Sequence, residues 1–515
     1  MSRPNVLFLL SDEHSFRHLS LRDPEAEGEP VSTENFDQLA QNGVFFDQAY
    51  CQMPLCTPSR MCMLTGREVR GCGAWTNESV MREEVDTFAD DLAESGYETC
   101  LMGKGHFGEK RQFNGFRHRP YGDLTGKTGH QWEPLKPEGG AESGMRKRTA
   151  TAGETTIPES VMQEQVLIRE SLSFLRELRH ESPDRPWLLT ASFSRPHFPL
   201  NAPPRHFKRY WPGGVTEPKI GRVGDSAHHP LTEGMVEGFK TEEIGEKEEM
   251  RARAAYFANV DYLDEMIGDF LALLEREGFL DNTIIIYTSD HGELAGEHGL
   301  WWKHGWHEAA TRVPLIVQTP QHREGEIAPD RIGTPVSLAD IYPTLLDLVG
   351  VEGEKGAEEL SGRSLASAIQ ESETITDKPI YCDNLVPRWG EGTEFRLIRE
   401  GKYKYVGFRD APELLFDLEE DPLELNNLAS STDNAIRERL EYFRTLLEEK
   451  MDFQAAEKER LRDERMKERL SLEIPAGDGN AFLMPDGRLI NADENLYSPN
   501  VLTHNPEEAF EDWPH

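Results

Sequence analysis

The stretch Asn5-Val6-Leu7-Phe8-Leu9-Leu10-Ser11-Asp12-Glu13-His14 sets the fold class of this chain. Its apolar residues run unbroken from Val6 to Leu10 and stop at carboxylates, the pattern of a strand covered on both faces that ends at a polar edge. Far along the chain Ile284-Ile285-Ile286-Tyr287 repeats the pattern and closes on Ser289-Asp290-His291-Gly292-Glu293. Strands are predicted at residues 5–10, 45–50, 98–102, 187–192, 283–288 and 315–318, with helices at 35–42, 87–95, 159–178, 247–277 and 338–349. This alternation predicts an α/β fold, a large mixed, mostly parallel sheet sandwiched by helices. Ligands of such sheets bind beyond the carboxyl ends of the strands. That rule groups Asp12-Glu13-His14, Lys104 with His106, His197, and Asp290-His291.

After about residue 350 the composition shifts through a Gly- and Glu-rich stretch, and strand-like segments resume at 379–383, 395–399 and 403–407. We divide the chain into a larger α/β domain, 1–375, which holds these strand-end groups, and a smaller C-terminal α+β subdomain, 376–515. The latter carries an antiparallel sheet, a closing helix at 434–450 and an extended arm from 475. The arm holds Phe482, Leu483, Leu489, Ile490, Tyr497, Val501 and Trp513, too apolar for a disordered tail, and suggests subunit contacts in a homo-oligomer.

With 56 Lys and Arg against 93 Asp and Glu, the 515-residue chain carries −37. That charge argues against nucleic acid and anionic membranes as partners. It also means that an anionic substrate needs local cations. No apolar run is long enough to span a bilayer, and the N-terminal strand lacks the features of a signal peptide, so the expected location is the cytoplasm. The six cysteines, Cys51, Cys56, Cys62, Cys72, Cys100 and Cys382, include no C-x-x-C pair, which argues against a disulfide framework or structural zinc.

Four of these cysteines crowd around Cys56-Thr57-Pro58-Ser59-Arg60, followed by Leu64-Thr65-Gly66-Arg67. Pro58 fits the first turn of a helix, where its missing N–H costs nothing. An anion beside Cys56 then meets free backbone N–H groups and the positive end of the helix dipole. Arg60, one turn on, adds a forked donor suited to oxyanions. The carboxylate and imidazole groups of the two strand ends suit a divalent cation such as Ca²⁺, Mg²⁺ or Mn²⁺.

The longer pattern C-T-P-S-R-x-x-x-L-T-G-R resembles the signature of the type I sulfatases of the alkaline phosphatase superfamily, in which this cysteine is oxidised to Cα-formylglycine. Asn5–Asp12 and Ser289-Asp290-His291-Gly292 resemble the family's opening strand and second metal-binding turn. Met102-Gly103-Lys104-Gly105-His106-Phe107-Gly108, Ser194-Arg195-Pro196-His197-Phe198-Pro199 and Trp301-Trp302-Lys303-His304-Gly305 resemble its basic motifs. The His at 291 is shared with choline-sulfatase-like and phosphonate-monoester-hydrolase-like members.

The resemblance implies Asp12, Asp290, His291 and the modified Cys56 as ligands of one divalent cation, Ca²⁺ first, with Mn²⁺ and Mg²⁺ as alternatives. Glu13 stands where many members have a second ligating Asp and stays open as a ligand. The implied reaction is hydrolysis of a small sulfate monoester, a sulfated sugar or another alkyl or aryl sulfate. A hydroxyl of the aldehyde hydrate at residue 56 attacks sulfur while Arg60, Lys104 and Lys303 hold the sulfate oxygens. His197, with Lys303, protonates the departing alcohol, and His106 takes the proton that lets sulfate leave. Asn77 matches a substrate-binding asparagine on the leaving-group side. A formylglycine-generating or sulfatase-maturing enzyme is the implied partner. The alternative reading is a phosphonate monoesterase or phosphodiesterase using the same site. Residues 197–200, Trp301-Trp302 and 113–129 are candidates to line a subsite for a sugar ring or a quaternary ammonium group.

Overall fold

Alternate residues of the first strand, β1 (Asn5–Asp12), enter two different cores. Val6, Phe8 and Leu10 pack into one layer of helices, and Leu7 and Leu9 into the other. The unbroken apolar run is thus the signature of a central strand, each large side chain contributing roughly 1.5–3 kcal/mol by burial. The computed structural model describes residues 3–82, 84–107, 113–121, 145–222, 224, 228–353, 360–473, 481–483 and 489–491.

The other strands of the main sheet are β2 (Val44–Tyr50), β3 (Glu98–Gly103), β4 (His118–Tyr121), β5 (Trp187–Pro196), β6 (Thr283–Ser289), β7 (Arg312–Gln318), β8 (Asp330–Ile332) and β9 (Val336–Ser337). Their order is β8-β2-β7-β6-β1-β5-β3-β4, with β9 beside β2. All neighbours run parallel except β7, which is antiparallel to both β2 and β6. The mixed, mostly parallel α/β architecture expected from the sequence is present. The helices that place the site are α1 (Glu34–Gln41), α2 (Cys56–Thr65), α3 (Met145–Ala150), α4 (Gln163–Glu181) and α5 (Glu246–Arg276). All ten residues of α2 are buried, so this helix lies inside the molecule.

The C-terminal part forms a second, antiparallel sheet of β10 (Ile380–Asn384), β11 (Phe395–Glu400), β12 (Tyr403–Phe408) and β13 (Leu414–Asp417), in that order. A helix at Asn434–Lys450 packs on it through Leu440 and Phe443. Lys404 of β12 reaches back to Glu308, which precedes β7, at 3.0 Å and to Glu424 at 2.6 Å, all three fully buried. Of the expected C-terminal arm, the described residues form a short antiparallel pair, Ala481–Leu483 with Leu489–Asn491, and the rest lies outside the described residues. Among the described residues no helix is long and apolar enough to cross a membrane.

Many histidines are buried and neutral. Burial pulls His14 down to about 4 and His298 to about 3, and holds His18 and His307 well below the ordinary value of 6.5. Below pH 6.5 the unfolded chain takes up protons at these positions while the folded chain does not. Each such group then costs up to about 1.4 kcal/mol of stability per pH unit as pH falls, until its folded value is passed. The melting temperature is therefore expected to drop progressively from pH 6.5 to pH 4. A scanning-calorimetry series with a flat profile across that window would contradict this reading.

Candidate active site

Adjacent, parallel β1 and β6 are paired in register from Asn5 with Thr283 to Ser11 with Ser289. Their carboxyl ends therefore set Asp12 beside Asp290 and His291. The Asp290 carboxylate accepts the backbone N–H groups of Glu13 at 3.1 Å and His291 at 2.9 Å, which fixes both turns. A Cβ at Gly292 would collide with the Ala309 carbonyl oxygen, so the chain after His291 passes where only glycine fits.

The buried helix α2 brings its first residue, Cys56, to the same point. Ser59 donates its hydroxyl to the Asp290 carbonyl. Thr57 donates its N–H to the Asn77 side-chain oxygen at 3.1 Å and its hydroxyl to the carbonyls of Asn77 and His106. Asn77 thus caps the start of the helix that carries Cys56 and lies next to it.

Around Cys56 Sγ lie Asp12 Oδ1 at 3.7 Å, His291 Nε2 at 3.1 Å and Lys104 Nζ at 4.0 Å. One donor atom from each of Asp12, Cys56, Asp290 and His291 falls within 4.8 Å of the other three, and all four residues are buried. His291 Nδ1 lies 2.9 Å from the Gly292 carbonyl, which can only accept, so Nδ1 carries a hydrogen and Nε2 is the ring nitrogen that faces the cluster. Burial opposes a charge on His291, yet Asp290 and Cys56 push its proton affinity up to about 10. The position calls for a positive charge. Two carboxylates, one imidazole and the residue-56 side chain fit a divalent cation there, since the metal replaces the proton that Nε2 otherwise holds.

The basic residues surround this cluster. Gly103, at φ +89°, ends β3 in a conformation open to glycine and turns Lys104 into the site, where its ammonium pairs with Asp12. Arg60 was expected to hold sulfate oxygens. Its Nε donates to Asp290 at 2.7 Å, and Nη1 to the Lys104 carbonyl at 2.6 Å and Ser192 Oγ at 2.9 Å. Nη2 faces Asp12 at 3.6 Å. These contacts align the two carboxylates, while Nη2 is buried without a hydrogen-bond partner among the described residues. His106 is hydrogen-bonded to Cys56 through its side chain.

Lys303 Nζ sits 3.0 Å from Glu13 Oε1, and His197 Nε2 3.4 Å from Glu13 Oε2. Glu13 therefore points to these two bases and stands in a second cluster with Asp12 and His197. Sequence reasoning considered it only as a metal ligand. Burial pushes the Glu13 carboxyl up to about 7, against the pull of Lys303 and His197. Glu293, next to the Asp290-His291 turn, was also missed. Its carboxylate accepts the N–H groups of Ala295 at 2.7 Å and Trp302 at 2.6 Å, and so shapes the loop that presents Lys303.

Electrostatically the site is built for an anion at residue 56. Burial alone would push the Cys56 thiol up, but Lys104, Lys303 and His291 outweigh it and hold the group well below the ordinary thiol range. Burial and Cys56 act in the same upward sense on Asp12, where Lys104, His197 and Arg60 prevail and keep the carboxylate ionised.

The expected subsite is only partly in place. Phe198 and Trp302 are half-buried and stack on each other, with centroids 5.5 Å apart. Trp301, by contrast, is 1% exposed and belongs to the core beneath α5. Phe113 lines a separate cleft with Glu98, His118 and Arg185, and residues 122–129 lie outside the described residues. Gly108 of the His106 motif lies outside them too.

The family model described as Sulfatase matches residues 4–351, and one described as N-sulphoglucosamine sulphohydrolase, C-terminal, matches 296–451. The choline-sulfatase of Rhizobium meliloti (strain 1021) is 31% identical over 438 residues, covering 83% of each chain. An arylsulfatase of Clostridium perfringens (strain 13 / Type A) is 28% identical over 475 residues, 86% of this chain and 94% of the relative. The phosphonate monoester hydrolase of Agrobacterium radiobacter superposes with a TM-score of 0.71 at 24% identity, over 95% of this chain and 99% of that one, a likeness of fold. With the family model spanning more than half of the 515 residues, the chain belongs to the sulfatase family and is a sulfuric ester hydrolase.

Proposed function

We propose that the protein releases inorganic sulfate from a small sulfate monoester, of a sugar or another alcohol, with residue 56 acting as a Cα-formylglycine hydrate. The observation that carries this is Cys56 itself. It opens a buried helix, has Asp12, Asp290 and His291 around it, and sits where Lys104, Lys303 and His291 favour negative charge. A thiol is poorly suited to the task, because an S-sulfated adduct must then be broken at sulfur. The aldehyde hydrate supplies one oxygen to attack and a second through which sulfate is expelled. Asp12, Asp290, His291 and residue 56 would hold a divalent cation, Ca²⁺ in first place, which would supply Lewis-acid polarisation when bound.

The chain's own groups divide the remaining work. In this reading Lys104, Lys303 and Arg60 Nη2 hold the sulfate oxygens, and Arg60 Nε keeps Asp290 in line. His106, bonded to the residue-56 side chain, takes the proton whose removal drives sulfate out. His197 Nδ1 lies 2.9 Å from the Phe198 carbonyl and so carries a hydrogen, leaving Nε2 as the atom that delivers a proton to the departing alcohol. Burial lowers the proton affinity of His197, which makes its charged form a stronger acid. In this reading Asn77, whose side chain accepts the Thr57 N–H, binds the substrate on its leaving-group side. This reading also takes a formylglycine-generating enzyme as partner and the cytoplasm as location.

Peptide mass spectrometry on protein from a maturation-competent host is expected to find an aldehyde at position 56. Cys56→Ala should lose at least about 10³-fold in kcat on aryl sulfates. An intact thiol in fully active protein would overturn the mechanism, and faster release from aryl phosphonates would favour phosphonate monoester hydrolysis.

His197→Ala should slow sulfates of poor leaving groups by roughly 10²–10⁴-fold and nitrophenyl sulfate far less. Equal losses on both would remove His197 from the general-acid role. Treatment with a strong chelator should abolish turnover and lower the melting temperature, with both restored by Ca²⁺. Full activity in metal-stripped protein would refute the cation site.

A further inference from the structure

Arg148 is a cation of a different kind from the others at the site. Arg60, Lys104 and Lys303 each face a carboxylate. Among the described residues Arg148 forms no ion pair, and its Nη1 is buried without a hydrogen-bond partner. Its side chain projects from α3 against the Phe198–Trp302 pair, with the guanidinium carbon 3.6 Å from each ring centroid. Stacking of this type holds the plane of the group and leaves its in-plane N–H donors available at the edge. The charge lies close enough to the reacting centre to interact with Glu13, Cys56 and Glu293. Burial pulls Arg148 down only to about 10, so it remains charged at neutral pH.

A guanidinium removed from water without an anion is costly unless a ligand supplies one. The same placement removes a ligand class. A quaternary ammonium group would need an aromatic face, and one face each of Phe198 and Trp302 is already taken by the protein's own cation.

We propose that Arg148 binds a second anionic group, a carboxylate or a further sulfate, on the leaving-group side. The substrate is then a sulfate ester of an alcohol that is itself negatively charged. This rests on the sulfate-ester reading of the site given above.

The test uses three aryl sulfates that differ in one charge: 3-carboxyphenyl sulfate, its methyl ester, and 3-(trimethylammonio)phenyl sulfate. Comparing variant with wild type on each substrate cancels their different intrinsic reactivities. Arg148→Met should lower kcat/KM for the carboxylate about tenfold more than for the methyl ester, mostly through KM, and should favour the cationic member relative to the ester. Arg148→Lys, which keeps the charge, should restore part of the carboxylate preference. Equal losses on all three substrates would overturn the proposal and place Arg148 on the transferring sulfate. A preference of the wild type for the cationic member that Arg148→Met abolishes would overturn it as well. Failure of the wild type to release sulfate even from the methyl ester would strike the sulfate-ester reading itself, before the question of charge arises.

Discussion

Three buried carboxylates and three buried cations share the floor of the site: Asp12, Glu13 and Asp290 against Arg60, Lys104 and Lys303. Removing any of these charges from water is expensive unless opposite charges and hydrogen bonds replace the solvent. The floor is therefore a single electrostatic unit, in which Arg60 joins Asp12 to Asp290 and Glu13 joins Lys303 to His197. Fully ionised, the six cancel. A divalent cation between Asp12, Asp290 and His291 would then leave a net positive floor, matched to a sulfate group. The arrangement depends on the parallel pairing of β1 with β6, because a slip of one residue would turn Asp12 to the opposite face of the sheet.

The second sheet takes part in this arrangement. The loop that presents Lys303 is held on one side by the segment leading to Cys56, where the His304 N–H donates to the Pro54 carbonyl at 3.2 Å. On the other side Asn384 of β10 donates to the His304 carbonyl at 3.1 Å, and the Asp383 N–H to the Gln52 carbonyl at 2.7 Å. The Lys404–Glu308–Glu424 cluster lies just beyond. The C-terminal sheet thus fixes the distance between Lys303 and Cys56, and its loss would loosen the site without removing a reacting group.

What was legible in the sequence was local. Unbroken apolar runs located the central strands to within a few residues, and Pro58 with Arg60 marked the helix behind Cys56. The direction of β7 was not legible, because Leu315-Ile316-Val317 reads alike in a parallel or an antiparallel strand. Nor was the aim of Arg60, which is set by Asp290, Ser192 and the Lys104 carbonyl, groups far apart in the chain. Trp301 and Trp302 are chemically identical neighbours, and only the positive φ of Trp302 and the packing beneath α5 send one inward and the other to the pocket. Arg148 follows Arg146 and Lys147 and reads as part of a solvated basic run. Its role depends on aromatic side chains at 198 and 302 that only the fold brings to it.

A chain of net charge −37 that binds an anionic ester has to solve two problems at different ranges. At long range the surface repels the substrate, but salt screens that field within a Debye length of about 8–10 Å. Inside the pocket there is little solvent to screen Lys104 and Lys303, and their charges act at short distance through a medium of low dielectric. The repulsion therefore slows encounter more than it weakens binding, and salt should relieve the first while leaving the second largely intact. The burial of the cations, not their number, is what lets so acidic a protein hold sulfate.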